Sequence, residues 1–361
     1  MKASETIRIE NVYYMLAYAF EALRKGEYSK ITPEEFCNAE DMFGRILGLG
    51  MSSLVKQGLY REYVDVIEDM AGLRGKINVP GTVKHRIVDR PMLTSEHDEF
   101  SEDNLFNQIL KATALMLFRS NRLKVSKDIL KNVLPFFSSV REVQPRGIRW
   151  DTLSYQRSNR QYLMLMNICR LVLNGMIMST RKGAVKIVGF DFSQEQLCDL
   201  YEAFVREYFS KEWHLPTKKR RINWDVSGDV DLTYLPEMRA DIVLEKDDRT
   251  LIIDTKFYGS ILGGRVGGKV SNDHLYQLLS YVNNYQADHP NVDVSGMLLY
   301  AKTTVDDFDR TGWNIGGHRI DVRTLNLDQK FSCISKTLND IYDDYFLDGN
   351  RNGKENGGND E

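Results

Sequence analysis

The sequence predicts an α/β fold in its second half, a mixed sheet flanked by helices, preceded by a mainly helical α+β first half. Three observations lead there. From residue 193 to 301 helical and strand periodicities alternate, the pattern of a sheet covered by helices. Residues 11–23, NVYYMLAYAFEAL, place Val12, Met15, Leu16, Ala19 and Phe20 at spacings of three and four, one apolar face of a helix. Residues 159–179 are apolar on nearly all sides, which predicts a central core helix whose methionines serve packing. At 361 residues the chain is long for one core, so two domains are expected.

Element by element, Asn11 reads as the cap of the first helix and Phe43–Gly58 as a second helix. Residues 61–79 alternate like strands around a GLRGKI turn, and a helix over 103–119 starts from the acidic SEDN. A boundary is expected near 180–192. Beyond it come a helix at 193–213, strands near 222–226 and 229–235, a hairpin at 239–256, a glycine-rich loop, a helix at 273–286 and a strand at 294–301. The end from 348, DGNRNGKENGGNDE, is a polar tail that can bury nothing and is expected to be disordered. The expected domains are therefore 1–190 and 191–347, with 348–361 as the tail.

Composition excludes several classes. No segment approaches the roughly 18 uninterrupted apolar residues of a membrane span, and Glu10 and Asn11 break the N-terminal apolar stretch, so a cytoplasmic protein is expected. Cys37, Cys169, Cys198 and Cys333 are too scattered for a zinc site or a disulfide framework and read as buried thiols. A net charge of −3 and a pI near 6.1 give no global attraction to a polyanion, so contact with nucleic acid must come from local basic patches or a partner.

The chemistry concentrates in RADIVLEKDDRTLIIDTKFY, residues 239–258. Charge at the ends of buried strands is costly unless it is paired or binds a cation. Two carboxylates, Asp241 and Asp254, brought together from adjacent strands would repel, and a divalent metal relieves that repulsion. Mg2+ suits oxygen ligands, retained waters and a substrate phosphate. Lys256 shares a strand face with Asp254 and offers a cation to a developing phosphorane-like charge. This D-x12-D-x-K spacing resembles the PD-(D/E)xK nuclease fold, against the plainer reading of a surface hairpin. Glu202, at the edge of the apolar stripe of helix 193–213, is a candidate to join the metal site, or else an i,i+4 partner of Arg206. Gln277 in helix 273–286 is a candidate to lie near the scissile phosphate, or else a plain helix polar position. GGRVGGKV nearly matches a phosphate-binding P-loop, but Val270 stands where a magnesium-holding Ser or Thr is required. Its Arg265 and Lys269, with Lys218 and Arg220 of TKKRRINW, are candidate DNA-phosphate contacts, an unliganded basic turn being the alternative for that second run.

IRIENVYYMLAYAF, GLRGKINV, SEDNLFNQILKATALML, LYEAFVREYF, MRADIVL with LIIDTKFY, and HLYQLLSYV, in this order from about residue 7 to 347, resemble the McrC family, the nuclease subunits of modified-cytosine restriction systems. The resemblance implies a Mg2+-dependent endonuclease in the C-terminal half, acting on double-stranded DNA through Asp241, Asp254 and Lys256, with Glu202 and Gln277 in matching blocks. It also implies an N-terminal half that docks on a hexameric McrB-like AAA+ GTPase, which binds the nucleotide and recognises 5-methylcytosine-type bases. Such a partner would account for the modest pI. The charged loop residues Arg74, Lys76, Lys84 and Arg86 are candidate partner contacts, with solvated loops as the alternative. A second reading is a non-catalytic regulator that keeps the fold and stimulates only the partner's NTPase.

Overall fold

The computed structural model describes residues 7–178, 185–187, 190–192, 194–228, 231–257, 270–302 and 310–347. In chain order they form α1 (Ile9–Ala19), α2 (Ala39–Gln57), β1 (Glu62–Met70), β2 (Lys76–Ile77), α3 (Val79–Ile87), β3 (Leu93–Ser101), α4 (Leu105–Arg119), α5 (Lys127–Val133) and α6 (Tyr162–Met178). There follow β4 (Val185–Ile187), β5 (Phe190–Phe192), α7 (Gln194–Glu212), β6 (Lys218–Ile222), β7 (Met238–Lys246), β8 (Arg249–Phe257), α8 (Asn272–Asp288), β9 (Asp293–Lys302), β10 (Arg310–Ile315), β11 (His318–Asn326) and α9 (Phe331–Tyr342). The chain divides into two compact units, residues 38–174 and residues 1–37 with 175–361. This corrects the single cut expected near 190; the tail from 348 lies outside the described residues.

In the unit 38–174, α2, α4, α5 and α6 bury Phe43, Leu47, Ile109, Leu110, Leu130 and Met166. Caps mark the helix starts: Asn38 accepts from Asp41 N at 2.9 Å and Asn104 from Asn107 N at 3.2 Å, so SEDN does end on a cap. Asp41, 2% exposed, accepts from the backbone N–H groups of Lys124, Val125 and Ser126 and from Ser126 Oγ, clasping the turn before α5. Burial opposes its charge, but these hydrogen bonds outweigh it and hold its pKa below the ordinary carboxylate value. A three-stranded antiparallel sheet in the order β1-β3-β2 carries Asp65 directly opposite Asp98. Helix α3 buries none of its residues.

In the other unit, six strands lie in the order β10-β11-β9-β8-β7-β6, with β8, β9 and β11 parallel and the remaining pairs antiparallel. One face packs Ile252, Val294, Leu298 and Val322 against Leu278, Val282 and Tyr285 of α8. A Cβ at Gly296 would lie 2.9 Å from Val282 and 3.1 Å from Leu278, so this glycine lets α8 approach β9. Helix α7 packs against β7 and β8. The first helix belongs here: Tyr18 meets Phe204 edge-on at 5.5 Å and Tyr14 stacks on Phe331 at 4.2 Å. Asn11 is not a cap. The helix starts two residues earlier, and Asn11, fully buried, donates to the carbonyls of Leu327 and Gln329.

Two further expectations need correction. The strand beside β7 is Lys218–Ile222, and 223–237 is irregular among its described residues, because Gly228 and Pro236 interrupt it and Trp224 Nε1 donates to the Pro236 carbonyl at 2.6 Å. Charged β6 is a sheet edge, where basic side chains discourage pairing with another chain. Of the four free cysteines, Cys169 is buried, Cys198 half-buried, and Cys37 and Cys333 exposed, since the latter two lie off the apolar faces. No helix among the described residues is long and apolar enough to cross a membrane.

Removing the Asp41 carboxylate strands the two buried donors of Ser126 and frees the partly buried N–H groups of Lys124 and Val125. Asp41→Ala is expected to cost about 3 kcal/mol, read as a lower denaturant midpoint. Because the folded pKa is depressed, the carboxylate's contribution is present above the unfolded value near 4 and is lost as pH falls through the folded value, so Asp41→Asn should flatten that acid limb.

Candidate active site

A two-residue turn, Asp247 with φ 54° and Asp248, pairs Lys246 with Arg249 and sets the β7–β8 register through Ile242↔Ile253. Asp tolerates this left-handed position better than most residues. One step further, that register brings Asp241 beside Asp254. The ladder ends there, and Asp241 Oδ2 accepts from Thr255 N at 2.8 Å and Thr255 Oγ1 at 2.9 Å.

Asp254 is 2% exposed. Burial pushes its pKa from 3.8 up to about 6; the Lys256 ammonium pulls it down, while Asp241 and Glu202 push it further up. Lys256 Nζ lies 2.6 Å from the buried Asp254 Oδ2, a close ion pair. The same ammonium donates to Gln277 Oε1 at 2.9 Å, and Gln277 Nε2 donates to Tyr281 OH at 2.9 Å. Gln277 is therefore more than a helix polar position: with Tyr281 it aims the lysine. Glu202 does pair with Arg206 at i+4, Oε1 at 2.7 Å, and its Oε2 also meets Lys219 Nζ at 2.9 Å. Burial raises the Glu202 pKa, Lys219 lowers it and Asp241 raises it.

A cleft of about 210 Å³ is lined by Cys198, Asp199, Glu202, Asp241, Thr255, Lys256 and Phe257. The structure thus gathers Asp241, Asp254, Lys256, Glu202 and Gln277 into one neighbourhood supplied by α7, β7, β8 and α8. Arg220 is held elsewhere, by Glu245 and by Tyr285 of α8. Arg265, Lys269 and the Lys218 side chain lie outside the described residues. Arg74, Lys76, Lys84 and Arg86 are all exposed in the unit 38–174, around β2 and α3.

Among the described residues no group of three His, Cys, Asp or Glu is arranged to hold a metal ion. Two carboxylates with water suffice for Mg2+, and the buried Asp254 Oδ2, already drawn to the Lys256 ammonium at 2.6 Å, sits where a cation is favoured. Sequence reasoning missed Thr255, Tyr281, Lys219 and His274. Tyr281 was legible in principle, one helical turn after Gln277. His274, whose Nδ1 lies 2.8 Å from Tyr300 OH, has its pKa lowered by burial and by the Lys256 charge.

Fold and cleft together define an α/β protein with a carboxylate-and-lysine centre at the end of a mixed sheet. The chain belongs to the family described as McrBC 5-methylcytosine restriction system component, whose profile matches residues 2–301. It is similar to the Type IV methyl-directed restriction enzyme EcoKMcrBC of Escherichia coli K12, with 27% identity over 344 residues, 94% of this chain and 98% of that one. Among solved structures, a Thermococcus gammatolerans half-complex of McrB AAA+ hexamers with bound McrC aligns with TM-score 0.45 and 18% identity, over 92% of this chain and 76% of that chain. The cryo-EM structure of the T. gammatolerans McrBC complex aligns with TM-score 0.37 and 20% identity, over 56% and 59%.

The raised Asp254 pKa has a stability consequence. Its protonated form favours the fold at low pH, and as pH rises from about 4 past 6 the charge costs about 3 kcal/mol. In metal-free buffer at neutral pH, Asp254→Asn should therefore melt higher than the unmutated chain, an advantage that vanishes below pH ~4. Added Ca2+ should raise the melting temperature of the unmutated chain and leave the variant unmoved.

Proposed function

We propose that this chain is the DNA-cutting subunit of a modification-dependent restriction complex, a Mg2+-dependent endodeoxyribonuclease with a PD-(D/E)xK-type centre, acting with a McrB-like AAA+ GTPase hexamer. One observation carries the reading: the buried Asp254 is paired with Lys256, whose ammonium is aimed by Gln277 into the cleft that Asp241 lines. Asp241 and Asp254 would hold Mg2+, which when bound supplies charge neutralisation and a lowered water pKa at the scissile phosphate. Asp241 is fixed for this by Thr255. Lys256, 12% exposed in its side chain, presents a desolvated cation to the charge that builds on the phosphoryl oxygens, where it acts more strongly than in water. Tyr281 keeps the Gln277 amide in the orientation that accepts from Lys256. Partner docking fits the unit 38–174, where Leu73, Val79, Val83, Ile87 and Val88 expose 48–77% of their surface between Arg74, Lys76, Lys84 and Arg86. Apolar surface of this extent, rimmed by charge, marks an interaction site. The nucleotide then belongs to the partner, and double-stranded DNA reaches the cleft with the partner's grip.

The test is cleavage of modified-cytosine and unmodified plasmid by the full chain with its partner NTPase. Asp254→Ala should abolish cutting and leave NTPase stimulation near the unmutated level. Lys256→Ala should slow cutting about 10²-fold or more, and Lys256→Arg should not restore it fully, since a planar guanidinium does not replace a compact ammonium. Cutting unchanged by both alanine variants would leave the regulator reading, in which only the NTPase is served.

A further inference from the structure

Within the basic run Lys218–Arg221, strand alternation separates two side chains that the sequence presents together. Arg220 turns toward Tyr285 of α8, whereas Lys219 turns toward Glu202 of α7, on the cleft. Glu202 is doubly served. Arg206, 18% exposed, holds Oε1 at 2.7 Å, and Lys219, 56% exposed, holds Oε2 at 2.9 Å. The carboxylate keeps Arg206 as a second, less exposed partner when Lys219 leaves it. The lysine end of this ion pair lies in water, where solvent competes for the ammonium and holding the long side chain costs entropy, so its partner is readily exchanged. A backbone phosphate offers the same ammonium a full charge and strong acceptor oxygens.

We propose that Lys219 is a DNA-phosphate contact of this cleft, and that it trades Glu202 for a phosphate when duplex DNA enters. Arg206, nearly enclosed, stays on Glu202. The exchange leaves Glu202 Oε2 without its outward partner beside Asp241, so entry of DNA increases the negative charge that faces a divalent cation. The inference rests on the reading of the cleft as a DNA-cutting site, and it assigns the phosphate-contacting role within the basic run to the residue paired with a carboxylate that lines the cleft.

The experiment uses the full chain and a fluorescent duplex oligonucleotide in Ca2+, with affinity followed by anisotropy across a salt series. Lys219→Gln should weaken binding and lower the slope of log affinity against log salt by about one, and Lys219→Arg should restore the slope. Glu202→Gln should tighten binding, because it frees Lys219, and this gain should largely vanish in the Lys219→Gln background. If Lys219 is a static clamp, the salt slope is unchanged by Lys219→Gln and the Glu202→Gln gain persists in the double variant; either result overturns the proposal, as does an unmutated chain whose duplex binding does not respond to salt. Lys219 is exposed, so the Lys219→Gln and Lys219→Arg chains should melt with the unmutated chain. The binding cycle involves no cleavage: a nuclease reading overturned by an active Asp254→Ala variant and a failed Lys219 exchange are separate results.

Discussion

The contact between Lys256 and Asp254, 2.6 Å apart and almost fully enclosed, is the constraint around which the sheet end is organised. A carboxylate buried to this degree resists ionising, and the Lys256 ammonium offsets part of that cost. The surrounding elements answer that cost. Gln277 accepts from the ammonium, Tyr281 fixes Gln277, and Thr255 occupies the neighbouring Asp241 so that its charge is satisfied at a set position. Even so, burial keeps ionised Asp254 costly, with its pKa pushed up to about 6. Stability is given up at the point where a cation would bind, the usual signature of a working site.

This arrangement explains the positions of the covering helices. Lys256 can be aimed only if α8 approaches closely, which Gly296 permits. Glu202 reaches the cleft only because α7 lies along β7 and β8, and α7 is in turn backed by α1 through Tyr18. The aromatic contacts of the first helix, and Asn11 tying it to the segment after β11, are thus part of the scaffold of the site. The 38–174 unit has its own anchor in Asp41 and, by contrast, leaves α3 and its apolar residues uncovered.

The edge strand β6 shows how one run of charge serves two purposes. Basic residues on this edge discourage stray pairing, and alternation sends Lys219 and Arg220 to opposite faces, where each meets a glutamate of its own. A sequence run that looks like a single patch is two separate electrostatic environments in the fold.

Much was determined by the sequence alone, and for local reasons. Helices α1, α2, α4, α6, α7 and α8 follow from apolar spacing, and caps such as Asn38 and Asn104 act within three residues of themselves. The hairpin register follows from a two-residue turn, which is why Asp241, Asp254 and Lys256 could be read as one group. Only the tertiary structure decided the rest. Asn11 has the residue type of a cap, yet it is spent on carbonyls more than 300 positions away. The first 37 residues join the sheet unit because their apolar face finds α7, a pairing no local pattern announces. That Lys219 meets Glu202 of the cleft while Arg220 meets Glu245 depends on where β6 sits in the sheet, with neighbouring side chains on opposite faces. Spacing along the chain dictates which residues share a strand or a helix face; which charges end up buried together depends on packing between elements distant in sequence.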